Sequence, residues 1–356
     1  MENKEKQLFR NLCSFKSKNF DRELLEYATP EVLGQLFFNR MQGVAYGTLR
    51  DNYMRGKVNR EFYNSLKVAY DLNLKKNESY FKCVKMVSEI LSECNCNVAM
   101  LKGAFLCAHY PYGYRTSNDI DILAKPQDVS IVGEKLLEHG FKQGNIVNGQ
   151  FFPATRLDII KSKMTRGETM PYIKEVFLPD MNYLEVDINF SLDYKNGDSE
   201  ILSDILDRRC IVHKKGIDIP TLEKYDFFIH LCAHLYKEAT TLPWIEMKRD
   251  MSLYKYCDIY MLLSEMTNDE VQEMFERAKE IGMEKICAFA IISTFNLFNC
   301  ENEKAGAFAS KVLESSPEFL SEVTAPKAIK KLKYQTADIS ARFFMNDRIS
   351  DLKEVD

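Results

Sequence analysis

The chain has 356 residues, 46% hydrophobic and 28% charged, with a formal net charge of −4 and a pI near 5.9. That composition is ordinary for a soluble globular protein, and about 150 residues per domain suggests two or three domains. The acidic balance disfavours a duplex-binding protein; the charged start MENKEKQLFRNLCSF lacks a signal-peptide core; and no apolar run of about 18 residues exists, so a cytoplasmic protein without a membrane span is expected.

The first stretch, to about residue 92, reads as helical. Thr29-Pro30-Glu31 supplies a capping hydroxyl, a proline for the first turn and an acid beside the positive helix end. Apolar residues then recur at Leu33, Leu36, Phe37, Met41 and Val44, and a second amphipathic stretch runs from Glu61 to Ser92 through Leu66, Tyr70, Tyr80, Cys83 and Ile90. The texture changes at Asn97. Val98 to Leu101 is a short apolar strand, Lys102-Gly103 a turn and Ala104 to Tyr110 a helix. After the polar loop PYGYRTSN, Asp119 to Ala124 alternates like a half-buried strand. Val129 to His139 has helical spacing and stops at Gly140, while Phe151-Phe152 and Ile173 to Phe177 are candidate strands. Tyr183 to Phe190 alternates clearly, with Leu184, Val186 and Ile188 on one face and Glu185, Asp187 and Asn189 on the other. From Leu222 the chain is helical again, in Tyr225 to Glu238, Met251 to Met266, Asp269 to Ile281 and Glu284 to Phe298, and the last forty or so residues are expected to be helices packing back on the body. The fold class is α+β: a small mixed sheet over residues 95–221, between a helical region 1–94 and a helical domain 222–356.

Asp119 and Asp121, two apart on a strand, project from one face. Neighbouring carboxylates repel unless a cation lies between them, and Mg²⁺ (Mn²⁺ is the alternative) takes carboxylate oxygens and completes its shell with water and phosphates. A third carboxylate on an adjacent strand would suit a two-metal site for in-line phosphoryl displacement. Asp187 is the natural candidate and Glu185, on the same face, its competitor. The plain alternative for an isolated D-x-D is a strand edge at the surface.

The strand and glycine turn, the helix and the stretch R-T-S-N-D-I-D-I-L at Arg115 to Leu123 resemble the active site of the DNA polymerase beta-like nucleotidyltransferase superfamily. More narrowly, Leu101-Lys102-Gly103, Leu184 to Phe190 and the later H-L-C-A-H-L-Y-K resemble the bacterial uncharacterised nucleotidyltransferase family, over roughly residues 95–265. The resemblance implies that Asp119, Asp121 and Asp187 are metal ligands and catalytic residues, and that Gly103 lets the backbone approach a triphosphate. Lys102 and Arg115 are positioned to neutralise phosphate oxygens, and Ser117 to order the loop. The chain departs from the pattern at Lys102-Gly103-Ala104, where Gly-Gly or Gly-Ser is frequent. It departs again at Asn189, where the narrower family often has His, and in a longer spacing from Gly103 to Asp119.

His230 and His234, at i and i+4, lack the Glu of H-E-x-x-H and read as packing residues. Lys237, Lys255 and Asp258 are substrate-binding candidates on the helices that follow. Tyr112 and Tyr114 stand beside the active loop as stacking or wall residues, and the run Lys327 to Lys333 reads as a solvated helix face. Eight cysteines are scattered singly, as buried reduced thiols would be, and Cys94 with Cys96 form a lone C-x-C that makes a poor zinc signature.

The expected activity is transfer of a nucleoside monophosphate from a triphosphate, ATP the expected donor, to a hydroxyl or carboxyl acceptor with release of pyrophosphate. A small molecule or peptide is favoured as acceptor over nucleic acid. The rivals are a non-catalytic nucleotide- or partner-binding protein on a relic core, and a toxin-like enzyme modifying tRNA or protein.

Overall fold

The computed structural model describes residues 1–192, 199–325 and 331–355. Helices α1 (Asn3–Cys13), α2 (Pro30–Phe38) and α3 (Gln42–Asp51) lead into the 33-residue α4 (Arg60–Ser92). The Thr29 hydroxyl caps α2 by accepting from the Val32 amide, as the sequence implied. The apolar period through Met41 and Val44 does not continue one helix, however. Arg40 takes a positive φ of 58° after α2, and α3 starts afresh at Gln42.

The sheet follows. Strand β1 (Val98–Met100) passes through α5 (Gly103–His109) to β2 (Asp119–Ala124), then α6 (Val129–Glu138). Next come β3 (Lys142–Val147), β4 (Gln150–Pro153), α7 (Arg156–Arg166), β5 (Tyr172–Leu178) and β6 (Met181–Asn189). These six strands form one mixed sheet in the order β1-β2-β6-β5-β3-β4. The β2–β6 pair is parallel and the others antiparallel. Helix α8 (Ser199–Asp207) precedes a hairpin of β7 (Cys210–Lys214) and β8 (Ile217–Thr221).

One face of the sheet makes the core. Ile120, Ile122, Leu184, Val186 and Ile188 are fully buried against Val84 and Val87 of α4, Val132 and Leu136 of α6 and Ile219 of β8. Each such side chain contributes roughly 1.5–3 kcal/mol by leaving water. Strict alternation sends the residues between them to the opposite face, so burying the isoleucines is what presents the carboxylates.

After α9 (Lys224–Ala239) come α10 (Leu242–Glu246), α11 (Leu253–Leu263), α12 (Asn268–Glu280), α13 (Glu284–Leu297) and α14 (Glu303–Leu313). The last forty residues are not all helical. Strands β9 (Glu322–Thr324), β10 (Lys331–Tyr334) and β11 (Leu352–Val355) form a three-stranded antiparallel sheet, with the short α15 (Ile339–Phe343) between the last two. Lys331 and Lys333 therefore lie on a strand, not on a helix face. Alternation with Leu332 and Tyr334, which join Ile245 and Val323 in a small core, explains the difference. Lys327 and Lys330 lie outside the described residues.

The chain divides into two compact units, one of residues 69–227 and one of residues 1–68 with 228–356. Among the described residues no helix is long and apolar enough to cross a membrane. All ten cysteines are free thiols; seven are buried, and Cys96, Cys210 and Cys300 are half-buried.

Candidate active site

The parallel β2–β6 register sets Asp119 opposite Glu185 and Asp121 opposite Asp187, with Leu123 opposite Asn189. Partners in a ladder share a face, so four carboxylates stand as two adjacent pairs on strands about 4.8 Å apart. A bridge between Glu168 and Asn189 brings a fifth carboxylate to the same neighbourhood, tied by Thr169 N–H to Ile188 O at 2.9 Å and Phe190 N–H to Gly167 O at 3.0 Å.

The electrostatic consequence is large. Burial, then the charges of Asp121, Glu185, Glu168 and Asp119, push the Asp187 carboxyl up to about 9. Burial raises Glu185 as well, helped by Asp119, Asp121 and Glu168. Such crowding disfavours the ionised forms of Asp187 and Glu185 and favours any cation brought to them. Lys102 answers part of that demand, its Nζ lying 3.3 Å from Asp121 Oδ1, and Asn189 Nδ2 donates to the same oxygen at 3.3 Å. All the carboxylate donors are hard oxygens, the chemistry that Mg²⁺ or Mn²⁺ takes. Among the described residues no group of three or more His, Cys, Asp or Glu is gathered into a preformed metal shell. The row is open, and its fit to a divalent cation rests on charge and donor type.

The turn before α5 is built tightly. Lys102 has φ 42° and ψ −111°, a conformation that costs a non-glycine residue about 1–3 kcal/mol. Gly103 is required by what lies over it. A Cβ there would meet Ser117 Oγ at 2.6 Å, Ser117 Cβ at 2.7 Å and the Tyr80 hydroxyl at 3.0 Å. Its missing side chain thus makes room for the Ser117 loop, and Ser117 Oγ donates to Asp119 Oδ1 at 2.8 Å. Arg115 is half-buried, and its guanidinium donates to the Thr116 carbonyl.

The family model described as "Uncharacterised nucleotidyltransferase" matches residues 29–299, most of the chain. The chain belongs to that family. Among solved structures it is similar to the crystal structure of an antigenic nucleotidyltransferase-like protein from Paracoccidioides brasiliensis. Identity there is 12%, coverage is 64% of this chain and 93% of that chain, and the TM-score is 0.36. Comparison with curated proteins gave no match.

Within this family member the unit of residues 69–227 brings together Asp119, Asp121, Asp187, Lys102, Gly103, Arg115 and Ser117. Lys237, Lys255 and Asp258 belong to the other unit. There Lys255 forms an ion pair with Glu238, its ammonium also 5.4 Å from the centre of the Trp244 ring, while Asp258 is buried. His230 is buried on α9, and on the same helix His234 Nε2 lies 3.3 Å from Glu238 Oε1. Tyr114 is buried edge-on to Tyr70, and Tyr112 carries the Lys215 ammonium 3.6 Å from its ring centre. Lys215 also donates to the Tyr110 carbonyl at 3.0 Å.

Sequence reading missed a set of supporting residues on α4. Asn73 and Asn77 bond to the backbone of the loop that leads into β2, and Tyr80 bonds to the carbonyl of Asp119, the first residue of that strand. Their signal was two asparagines four apart on a stripe otherwise apolar. Glu168 had no local signal, because only its bridge to Asn189 brings it near.

Proposed function

We propose that this protein is a metal-dependent nucleotidyltransferase that moves a nucleoside monophosphate from a triphosphate, ATP the expected donor, to a hydroxyl or carboxyl acceptor. The observation that carries this reading is the parallel register setting Asp119 and Asp121 against Glu185 and Asp187 on one sheet face, in a chain that belongs to a nucleotidyltransferase family. Asp119, Asp121 and Asp187 would hold Mg²⁺ or Mn²⁺, with Glu185 next to them. When bound, such ions supply Lewis-acid stabilisation of charge on the phosphate oxygens.

The remaining chemistry falls to the chain. Lys102 and Arg115 bind the triphosphate oxygens, Lys102 leaving Asp121 as the triphosphate arrives, and they counter the charge that collects on the departing pyrophosphate. Ser117 keeps Asp119 oriented. Asp187, ionised once the cations are in place, takes the proton of an acceptor hydroxyl; a carboxylate acceptor brings none. The acceptor oxygen bonds to the α-phosphorus as the bond from that phosphorus to the pyrophosphate oxygen breaks, and pyrophosphate leaves. A small molecule or peptide acceptor in the cytoplasm suits the acidic pI.

Calorimetric titration of the full chain with ATP, GTP, CTP and UTP, each with Mg²⁺, tests the proposal beside an Asp119→Ala/Asp121→Ala variant. Mg²⁺-dependent binding of one triphosphate, lost in the variant, is the expected result. Binding of none of the four, or equal binding by the variant, overturns it.

A further inference from the structure

Helix α4 devotes buried polar atoms to one short segment of loop. Asn77 is 1% exposed and uses both ends of its amide: Oδ1 accepts from Gly113 N–H at 2.8 Å, and Nδ2 donates to the Arg115 carbonyl at 2.8 Å. One turn earlier, Asn73 Nδ2 donates to the Gly113 carbonyl at 2.9 Å. Nearly one turn later, the fully buried Tyr80 donates its hydroxyl to the Asp119 carbonyl at 2.8 Å. The three residues sit at i, i+4 and i+7, one face of the helix.

The fit is close on both sides. Gly113 has φ 80°, and a Cβ on it would come within 2.6 Å of the Tyr70 ring, so α4 and the loop touch backbone to side chain. The Tyr80 hydroxyl also lies where a Gly103 Cβ would meet it at 3.0 Å, so it stands between the turn before α5 and the start of β2. Burying amide and hydroxyl groups is unfavourable unless every one is satisfied, and apolar residues would fill a helix–sheet interface with less risk. Here the polar atoms hold the segment that ends in the first carboxylate. Asp119 is exposed and opens its strand, so the sheet holds it from one side only.

We propose that Asn73, Asn77 and Tyr80 are positioning residues that fix Asp119 against Glu185 and so set the divalent-cation affinity of the carboxylate row. This rests on the reading of that row as a metal site. Their action runs through the backbone of Gly113, Arg115 and Asp119, and none of them is a ligand.

The test is a Mn²⁺ titration of the full chain followed by electron paramagnetic resonance, using the metal alone. Tyr80→Phe keeps the ring and removes one donor. Asn73→Ala removes one bond from a half-buried position and serves if Tyr80→Phe does not fold. Tyr172→Phe, which removes a buried hydroxyl from β5, is the control for stability. The expected result is Mn²⁺ affinity about tenfold weaker in Tyr80→Phe, the lower end of what an outer-shell partner contributes, and about threefold weaker in Asn73→Ala, which gives up one bond at a half-buried position. The bound-ion spectrum should change as well. The control should match wild type in affinity even where its unfolding midpoint falls as far. Wild-type affinity and spectrum in both α4 variants overturn the inference while leaving the metal site intact. If the wild type itself takes up no Mn²⁺, or Asp119→Ala/Asp121→Ala binds as wild type does, the metal reading fails and the inference falls with it.

Discussion

Replacing Asp187 with Asn should stabilise the metal-free protein while abolishing its metal binding. In the unfolded chain Asp187 has its ordinary value near 3.8, and in the fold burial and the surrounding carboxylates push it up to about 9. At about pH 7 folding must therefore place a proton on it. Moving that proton from 3.8 to pH 7 costs roughly 4 kcal/mol at 1.36 kcal/mol per pH unit. Water reaching the half-buried row screens part of this, leaving about 1–3 kcal/mol. Asn carries no such cost. A folded value above the unfolded one means that the aspartate's contribution is fully present below about pH 4 and is lost as pH rises through about 9. The advantage of Asp187→Asn should thus be absent near pH 4, grow through neutrality and level off above pH 9. At about pH 7 it should raise the unfolding midpoint of the unit of residues 69–227 by about 2–10 °C. Scanning calorimetry in EDTA at pH 5, 7 and 9 measures it. A gap that fails to widen from pH 5 to pH 9, or a variant less stable than wild type at pH 9, would refute the reasoning. With Mn²⁺ added the order should reverse, because only the wild type gains a ligand.

Three further outcomes are expected. Gly103→Ala forces Ser117 aside and should cost about 1–3 kcal/mol, read by urea denaturation; Ser117→Gly in the same chain should restore much of it, since the two nearest of the three crowding atoms belong to Ser117 and only the Tyr80 hydroxyl would remain. Lys102→Met removes the ammonium that competes for Asp121, so free Mn²⁺ should bind about two- to fivefold tighter while Mg·ATP binds about tenfold weaker; calorimetry with each ligand decides it, and parallel losses would mean that Lys102 serves the fold alone. Lys255→Met leaves Glu238, largely buried, without its ammonium and should lower stability by about 2–4 kcal/mol. Glu238→Gln combined with it should recover most of that loss in urea melts, and an uncompensated double variant would show that the pair is not the reason Lys255 is held there.

The carboxylates were legible because their strands are one-sided. Ile120 and Ile122, and Leu184, Val186 and Ile188, demand burial, and period-two alternation then assigns Asp119, Asp121, Glu185 and Asp187 to the other face without knowledge of the fold. Their pairing was not legible, since nothing local says that Asp121 lies beside Asp187 in place of Glu185 or Asn189. Asn73, Asn77 and Tyr80 were hidden for a related reason. On a long amphipathic helix a polar residue looks like a boundary with solvent, and only the returning loop turns it inward. The β7–β8 hairpin escaped because its turn is Lys215-Gly216, with φ values of 51° and 75°, and not the Asn-Gly or Asp-Gly that usually announces such a turn. At the far end, a run of lysines masked the alternation of Leu332 and Tyr334, so a strand looked like a helix surface.

The parallel ladder between β2 and β6 also fixes when the site comes into being. Asp121 and Asp187 are neighbours in the sheet but stand 66 residues apart in the chain, with α6, the β3–β4 hairpin, α7 and β5 between them. Closing so long a span is slow relative to forming a local element, so the ladder is expected to form after the helices and hairpins it spans. During synthesis β2 emerges with only half of the acidic row and an open edge where β6 will pair. A chain stopped before Met181 would hold Asp119 and Asp121 with nothing opposite them, whatever helices it had already formed. Cation affinity of the row should therefore appear as one step, with the docking of β6, and not accumulate strand by strand.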